Sequence, residues 1–136
     1  MRLTWRHYAF LGRESVRAGE AAECAGEQEQ FWAYHDVLFA RQAGENRGAY
    51  GDDNLKRFAA DIGLEQGAFD ACLDSQRHAE RVQAETAAGA RKGVRATPTL
   101  FVGGEKIEGS PSYERLRAGI QRELSSSPSP PTRPGQ

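Results

Sequence analysis

Cysteine is scarce in this sequence, which holds only two, Cys24 and Cys72, far apart among its 136 residues. A dithiol redox centre needs a Cys-x-x-Cys motif, and a zinc knuckle also begins from a closely spaced pair of cysteines. Because the chain has no such pair, both kinds of site are excluded from it. We therefore assign no catalytic residue, and neither cysteine is a good candidate for a nucleophile.

Long hydrophobic runs and a large net charge are lacking as well. No apolar stretch approaches the about 18 residues that a membrane span needs, and no signal-peptide pattern is present. The net charge is −1, which does not favour binding to nucleic acid or to a membrane surface. His7, His35 and His78 are scattered over different predicted elements, so we predict neither a metal site nor a cofactor.

The sequence begins with a predicted strand, followed by a block of helices. Residues 2–9 alternate in character, which places Leu3, Trp5 and His7 on one face of a strand. Helices are predicted between about residues 13 and 92, where apolar residues recur at helical spacing. Two residues are expected to cap helices at their N-termini, Ser15 and Asp53. The apolar positions expected to face a core include Phe31, Tyr34, Leu38, Phe39, Leu55, Phe58, Phe69, Cys72 and Leu73.

A β-hairpin is predicted toward the end of the chain, where the periodicity changes from helical to alternating. Thr99–Val102 forms the first strand, the Gly103-Gly104 pair the turn, and Glu105–Glu108 the returning strand. A hairpin that follows a strand and a helical block favours a mixed sheet flanked by helices.

A last helix and a tail complete the predicted elements. The helix is expected over about residues 112–124, and the side chains that it presents to the body of the protein are Tyr113, Leu116 and Ile120. Residues 125–136 are rich in serine and proline. They are predicted to form a disordered tail.

The most specific motif is the segment 93–104, whose letters are GVRATPTLFVGG. It closely resembles the stretch by which thioredoxin-like proteins place a cis-proline at the start of a strand. The resemblance implies a cis bond between Thr97 and Pro98 and a neighbouring backbone that pairs with an extended substrate peptide. Thr97 and Pro98 are therefore the expected substrate-binding residues. The alternative is a trans-proline that merely opens a hairpin.

Further stretches resemble DsbA-like proteins in particular. The letters EAAECA at 20–25 and QFWAYHDVLFA at 30–40 resemble the helical insertion of that family. The letters IEGSPSYERL at 107–116 resemble its closing segment. The resemblance covers residues 2–124 in the right order, and the chain is identified on this basis as a member of the DsbA-like thioredoxin-fold family.

The family resemblance implies a fold and a domain organisation. We expect an α/β, incomplete thioredoxin-like fold, with one domain over residues 1–124. That domain is expected to contain an inserted helical subdomain over about residues 13–92. The cis-proline hairpin and the C-terminal helix are expected over residues 94–124.

The N-terminal part departs from the family pattern. Family members begin with a strand and with a helix that opens on Cys-x-x-Cys, where the helix dipole favours the thiolate of the first cysteine. This β-α unit is missing here, so we expect an upstream piece to be absent or encoded elsewhere. The missing strand would lie between the strands at 2–9 and 99–102, and its removal leaves a gap of about 9.6 Å. We therefore expect the chain to rearrange, to stay loosely folded, or to take a strand from a partner or from a second copy as a homodimer.

The two cysteines have two interpretations. Some DsbA-like proteins carry a second, structural disulfide within the helical insertion, and the pair Cys24 and Cys72 resembles it. Closing so long a loop stabilises a protein by about 4 kcal/mol in the chain-entropy model. The alternative is a pair of buried free thiols, since cysteine is often a small core residue.

The resemblance also implies a function, that of a bacterial thiol–disulfide oxidoreductase that forms or exchanges disulfides in exported proteins. Its substrates would be polypeptides with thiols, its electron partner a membrane protein, and its location periplasmic or otherwise extracytoplasmic. We expect the chain alone to be inactive because it lacks Cys-x-x-Cys. The alternative is a non-catalytic peptide-binding or assembly module on the same scaffold. A glutathione-dependent relative ranks last, because nothing marks a glutathione site.

Overall fold

The computed structural model describes residues 1–126 of the chain. These residues divide into two compact units, 1–92 and 93–126. The division falls beside the boundary between the predicted helical region and the predicted hairpin. No helix within the described part is long and apolar enough to cross a membrane. The elements are α1 (Arg13–Gly26), α2 (Phe31–Ala40), α3 (Asp52–Asp61), α4 (Gln66–Ser75), α5 (Ala79–Arg91), β1 (Thr99–Val102), β2 (Glu105–Glu108) and α6 (Tyr113–Ser126).

In the first unit, α1 is the helix around which the others pack. It contacts α2, α3, α4 and α5, and its buried face is made mostly of small residues, which let neighbouring helices approach closely. Larger side chains from α2, α3 and α4 then fill the core. The buried core residues are Ala21, Ala22, Cys24, Ala25, Tyr34, Leu38, Leu55, Phe58, Ala59, Leu64, Phe69, Cys72 and Leu73.

The strand predicted over residues 2–9 is wrong for this structure, because that segment contains no regular secondary structure. Its backbone groups bond to helix side chains instead of to a neighbouring strand. The His7 N–H donates to Glu85 Oε2 at 2.8 Å, and the Ala9 N–H donates to Thr86 Oγ1 at 2.9 Å. Alternate N–H groups thus point to α5, as in an extended chain, but a strand needs a ladder partner. Leu3 and His7 were predicted to share one face, but His7 is buried whereas Leu3 is exposed.

Two predicted helix caps are also wrong, because both residues lie inside helices. Ser15 is the third residue of α1, which begins directly after Gly12, whose φ of 102° suits glycine. Asp53 is the second residue of α3, which begins after the extended Gly51. Asp52 turns its carboxylate to Arg17 rather than to the end of its own helix.

Phe39 is a further correction, because its side chain is 56% exposed although it was expected in the core. Neighbouring positions on an α-helix point about 100° apart. Leu38 takes the buried direction, so Phe39 turns outward. Its ring lies against those of Trp5 and His35 instead.

The second unit contains the hairpin and α6. The strands β1 and β2 have the predicted bounds and pair antiparallel, with Thr99 opposite Glu108 and Val102 opposite Glu105. Gly103 turns the chain with a φ of 58°. The sheet of the described residues has these two strands, so the expected mixed sheet that includes residues 2–9 is not formed. The architecture is a set of helices with a small two-stranded sheet.

The helix α6 departs in two details from its prediction. It runs to Ser126, two residues beyond the predicted end, and the hydroxyl groups of Ser125 and Ser126 donate back to carbonyl oxygens of the preceding turn. The rest of the predicted disordered tail lies outside the described residues. Tyr113, the first residue of the helix, was expected to face the protein but is 72% exposed. Leu116 and Ile120 are half-buried.

Candidate functional site

The first candidate site is the loop before β1. The bond between Thr97 and Pro98 is cis, and both residues are exposed. Contacts within the second unit hold the loop in place. The Thr99 hydroxyl donates to Ala96 O at 2.7 Å, and the Gly109 N–H donates to Pro98 O at 2.8 Å. The loop therefore presents the two predicted substrate-binding residues on a fixed, accessible backbone.

The two cysteines are joined in a disulfide that links α1 to α4. The Cys24 and Cys72 Cα atoms are 5.8 Å apart, and each residue is 1% exposed. A thiol that exchanges with a substrate has to be accessible and to form a thiolate. This bridge is closed off by the core around it, so it stabilises the first unit and leaves no dithiol for exchange with a polypeptide.

His78 lies beside this disulfide, a proximity that sequence analysis missed. The Cys24 and Cys72 sulfurs and a ring nitrogen of His78 all lie within 4.8 Å of one another. The His78 Nε2 is also 2.7 Å from Glu27 Oε1, and Arg77 binds the same carboxylate. Hydrogen bonds from Arg77, reinforced by His78, lower the pKa of Glu27 to about 2. The other predicted scattered histidines stay apart from this group, since His7 pairs with Glu23 and His35 with Asp36.

An open pocket of about 460 Å³ borders His78. Its wall includes Glu27 and an aromatic group made by Trp5, Phe31 and Trp32, whose rings contact one another edge-on or tilted. Trp32 is partly exposed there. The pocket leads from solvent to the Glu27–His78 pair. It combines two carboxylates, those of Glu23 and Glu27, with an imidazole and an apolar wall.

Buried charges tie the first unit together, and sequence analysis missed them too. Arg17 on α1 donates to Glu20 at 2.7 Å and to both carboxylate oxygens of Asp52 at 2.8 and 2.9 Å. It also donates to the Leu73 carbonyl at 3.2 Å, so one guanidinium joins α1, α3 and α4. Hydrogen bonding from Arg17 lowers the pKa of Asp52 below its ordinary value, and the same bond raises the pKa of Arg17.

A second buried pair holds the N-terminal segment. The His7 Nε2 lies 2.8 Å from Glu23 Oε1, and Arg81 on α5 reaches the other oxygen of that carboxylate at 2.7 Å. Gly19 leaves room for this packing, because a Cβ there would lie 3.2 Å from His7 Nδ1 and from both Val82 methyl groups. The segment is thus docked by charge and by close approach instead of by a strand ladder.

Comparison with known proteins places these features in a class. The structure resembles the crystal structure of a thioredoxin-like oxidoreductase from Silicibacter pomeroyi DSS-3, with a TM-score of 0.74 and 21% identity, over 90% of this chain and 68% of that one. The thioredoxin-like fold predicted from the sequence is therefore confirmed. A family model described as Thioredoxin matches residues 1–122. The chain belongs to this family, and its assignment as a DsbA-like thioredoxin-fold protein is confirmed.

Similar proteins differ in size from this chain. The Na(+)/H(+) antiporter NhaA of Herminiimonas arsenicoxydans is 39% identical over 104 residues, which are 76% of this chain and 16% of that protein. The Na(+)/H(+) antiporter NhaA 1 of Salinispora arenicola is 35% identical over 122 residues, 88% of this chain and 18% of that protein. Disulfide bond formation protein D of Bacillus subtilis is 26% identical over 122 residues, 85% of this chain and 53% of that protein. The chain thus spans less than a fifth of these antiporters and about half of the Bacillus protein.

Proposed function

We propose that this chain is the polypeptide-binding part of a thiol–disulfide oxidoreductase that forms or exchanges disulfides in exported proteins. One observation carries the proposal. Both cysteines are locked in a buried bridge, while the Thr97–Pro98 loop stands exposed before β1. A thioredoxin-family chain built in this way keeps the surface that holds a substrate and has no dithiol of its own.

In the proposed mechanism, the dithiol comes from a segment or a partner outside these 136 residues. A substrate thiolate attacks the disulfide form of that dithiol, which gives a mixed disulfide and releases one sulfur as a thiolate. The second substrate thiol then attacks the mixed disulfide. The substrate loses two electrons and two protons, and the dithiol gains them. A membrane redox partner in an extracytoplasmic compartment would reoxidise the dithiol.

The role of this chain in that sequence is positioning. A substrate polypeptide that lies extended along the Thr97–Pro98 backbone is held in one register by main-chain hydrogen bonds, as in strand addition. Holding two reacting groups together raises their effective concentration. The loop would thereby place the substrate sulfur next to the separately supplied dithiol. It would take no part in the bond exchange between the sulfurs.

The test adds the missing component to the purified chain. The oxidation rate of a reduced, unfolded test protein is measured with the chain alone, with a synthetic Cys-x-x-Cys β-α unit alone, and with both together. We expect the chain alone to leave the rate at its uncatalysed value and the combination to exceed the β-α unit alone.

Two variants sharpen this test. Thr97→Arg should remove about 1.4 kcal/mol of binding, or tenfold in affinity, and with it most of the gain in rate. Ser110→Arg is the matched control, exposed in the same unit, and should keep the gain. Oxidation of protein thiols by the chain alone, with Cys24 and Cys72 both changed to serine, would overturn the proposal.

A second candidate is a redox-inert module of a larger membrane protein. It is favoured by the antiporter relatives, of which this chain matches only 16 to 18%. In that case the Thr97–Pro98 loop would hold an extended polypeptide as an assembly contact. The chain would then still bind an unfolded polypeptide, but the added β-α unit would give no gain in the rate of thiol oxidation. Nuclear magnetic resonance titration of the full chain, followed at the amide signals of residues 93–126, measures this binding.

A further inference from the structure

The cluster of Cys24, Cys72 and His78 has a chemistry that the proposed function does not use. Two sulfurs and an imidazole nitrogen lie within 4.8 Å of one another. They come from α1, from α4 and from the residue just before α5, so three separate elements of the first unit converge on one point. Thiolate and imidazole are the ligand types that zinc prefers in proteins.

We propose that reduction of the Cys24–Cys72 bridge converts this cluster into a binding site for Zn²⁺, with two thiolates and the His78 imidazole as ligands. A water molecule completes the tetrahedral shell. The inference does not rest on the proposed function, because it concerns other residues and another unit of the chain.

The reaction has two balanced steps. A dithiol reductant supplies two electrons and two protons, becomes a cyclic disulfide, and turns the bridge into two thiols. Zn²⁺ then replaces the two thiol protons, which pass to solvent as the sulfurs bind the metal as thiolates. The bridge and the metal therefore exclude each other, and the site reports the redox state of the protein.

The geometry around the cluster accommodates the ion. Two thiolates on one tetrahedral zinc, each at about 2.3 Å, lie about 3.8 Å apart. Side-chain rotation reaches that separation from Cα atoms 5.8 Å apart. Both cysteines are buried among apolar residues. A buried thiolate is costly unless a cation neutralises it, so a bound metal ion would stabilise the reduced, deprotonated cysteines.

Glu27 supplies the orientation and the route of access. Its carboxylate holds one ring nitrogen of His78 at 2.7 Å, which fixes the ring plane as outer partners of zinc-bound histidines do. The same two residues line the open pocket, together with Glu23 and Arg81. A cation can thus approach His78 from solvent past two carboxylates. Arg81 and Arg77 oppose it with positive charge, but each is already paired with one of those carboxylates.

The experiment uses the full chain and Co²⁺ as a probe for zinc. The chain is reduced with a phosphine, which is then removed without oxygen, and Co²⁺ is added. We expect one equivalent to bind with a thiolate-to-cobalt absorption band in the near ultraviolet, and Zn²⁺ to displace it. The oxidised chain should show no band, because its sulfurs are bonded to each other.

Two histidine variants decide whether the site is the folded cluster. His78→Ala should weaken Co²⁺ binding by at least about tenfold. His35→Ala is the matched control, because the two side chains have similar exposure, 19% for His78 and 20% for His35; this variant should bind Co²⁺ as the parent does. Equal binding by both variants would show simple capture by free thiols and would overturn the proposal.

If the chain loses structure on reduction, refolding on addition of Zn²⁺ provides a second measurement of metal binding. Zn²⁺ that binds only the folded form stabilises it by mass action, so circular dichroism should show helix returning as Zn²⁺ is added, and the melting temperature should rise with its concentration. A reduced chain that stays unfolded in saturating Zn²⁺, or a folded one that binds no metal, counts against the site.

Discussion

The first unit, residues 1–92, and the described part of the second unit, residues 93–126, use their side chains in different ways. The first unit buries an apolar core, a disulfide and a charged arginine with its partners. Within residues 93–126, the buried hydrophobic side chains are those of Val94 and Ile107. Ion pairs of the second unit, such as Arg122 with Glu105, lie on exposed surface.

This difference indicates that the first unit provides stability and that the second unit provides an exposed surface. A two-stranded hairpin is marginal by itself, because it buries too little apolar area to offset its lost conformational entropy. The first unit has a core cross-linked by a disulfide, and many independent contacts hold its fold. The second unit instead presents a loop and a short sheet, which suits a surface that meets other polypeptides. Matched substitutions in the two units test this reading.

The largest effect is expected where a buried charge loses its partner. Arg17→Met leaves Glu20 buried without its cation and should lower the free energy of unfolding by about 3–5 kcal/mol. Arg122→Met breaks an exposed pair in the second unit, with its charged atoms 2.6 Å apart, and should cost less than about 1 kcal/mol. Urea denaturation followed by circular dichroism measures both. Equal losses would remove the distinction between the units.

Truncation of leucine gives the next contrast. Leu73→Ala opens a cavity in a fully buried position on α4 and should cost about 2–5 kcal/mol. Leu124→Ala on α6 removes an exposed side chain and should stay within about 0.5 kcal/mol. Thermal and urea unfolding of the two variants, side by side with the parent, measure the difference. A loss at position 124 as large as that at 73 would show that α6 is buried in solution.

Sequence analysis succeeds best in this protein where structure is local, although it misplaced the helix caps Ser15 and Asp53. The hairpin bounds, Thr99–Val102 and Glu105–Glu108, follow from alternation and from a glycine turn, which need no information about distant residues. The buried face of α4, with Phe69 and Leu73, follows from helical spacing in the same way. The family resemblance supplied the fold class, since its motifs span most of the chain.

Sequence analysis fails where partners are distant. Residues 2–9 have the alternation of a strand, but whether such a segment becomes a strand depends on a neighbour elsewhere in the fold. In the sequence, Arg17 resembles any solvated charge on a helix. Only the folded structure places Asp52, 35 positions away, within hydrogen-bond distance of it. His78 gives no signal of its closeness to the cysteine sulfurs. Each of these three misses depends on a long-range contact that periodicity does not encode.

Glycine substitutions should change stability in opposite directions in the two units. At Gly19 a Cβ would lie 3.2 Å from buried His7 and Val82 atoms, so overpacking of about 1–3 kcal/mol outweighs a gain of about 1 kcal/mol in helix propensity. Gly19→Ala should therefore destabilise by about 1 kcal/mol. At Gly119 the nearest Val102 atom would lie at 3.5 Å, an ordinary contact.

Gly119→Ala in the second unit should accordingly stabilise α6 by about 0.5–1 kcal/mol. The amides of α6 measure this locally, because their hydrogen exchange should slow. In the first unit the amides of α1 should exchange faster in Gly19→Ala. If both variants shift in the same direction, the tight packing assigned to the first unit is wrong.

The smallest effect concerns acid, and it is again expected in the first unit. Arg17 holds the pKa of Asp52 below its ordinary 3.8 by hydrogen bonding, and Lys106 holds the pKa of Glu108 below its ordinary 4.5 in the same way. A depressed carboxyl pKa stabilises the folded state above the ordinary value, and this stabilisation is lost as the pH falls through the depressed one. Asp52→Asn should therefore be less stable than the parent near neutral pH, and the two unfolding curves should converge below pH 3.8.

Glu108→Gln is the comparison in the second unit. There the partner Lys106 is 32% exposed, whereas Arg17 is 6% exposed, so water screens the attraction more strongly. Its stability should follow the parent within error at every pH, since exposed pairs contribute little. Melting temperatures at a series of pH values measure both variants at constant ionic strength. A pH-dependent loss in Glu108→Gln as large as that in Asp52→Asn would mean that partner burial, the property that separates the two units, does not decide how strongly a carboxylate stabilises this fold.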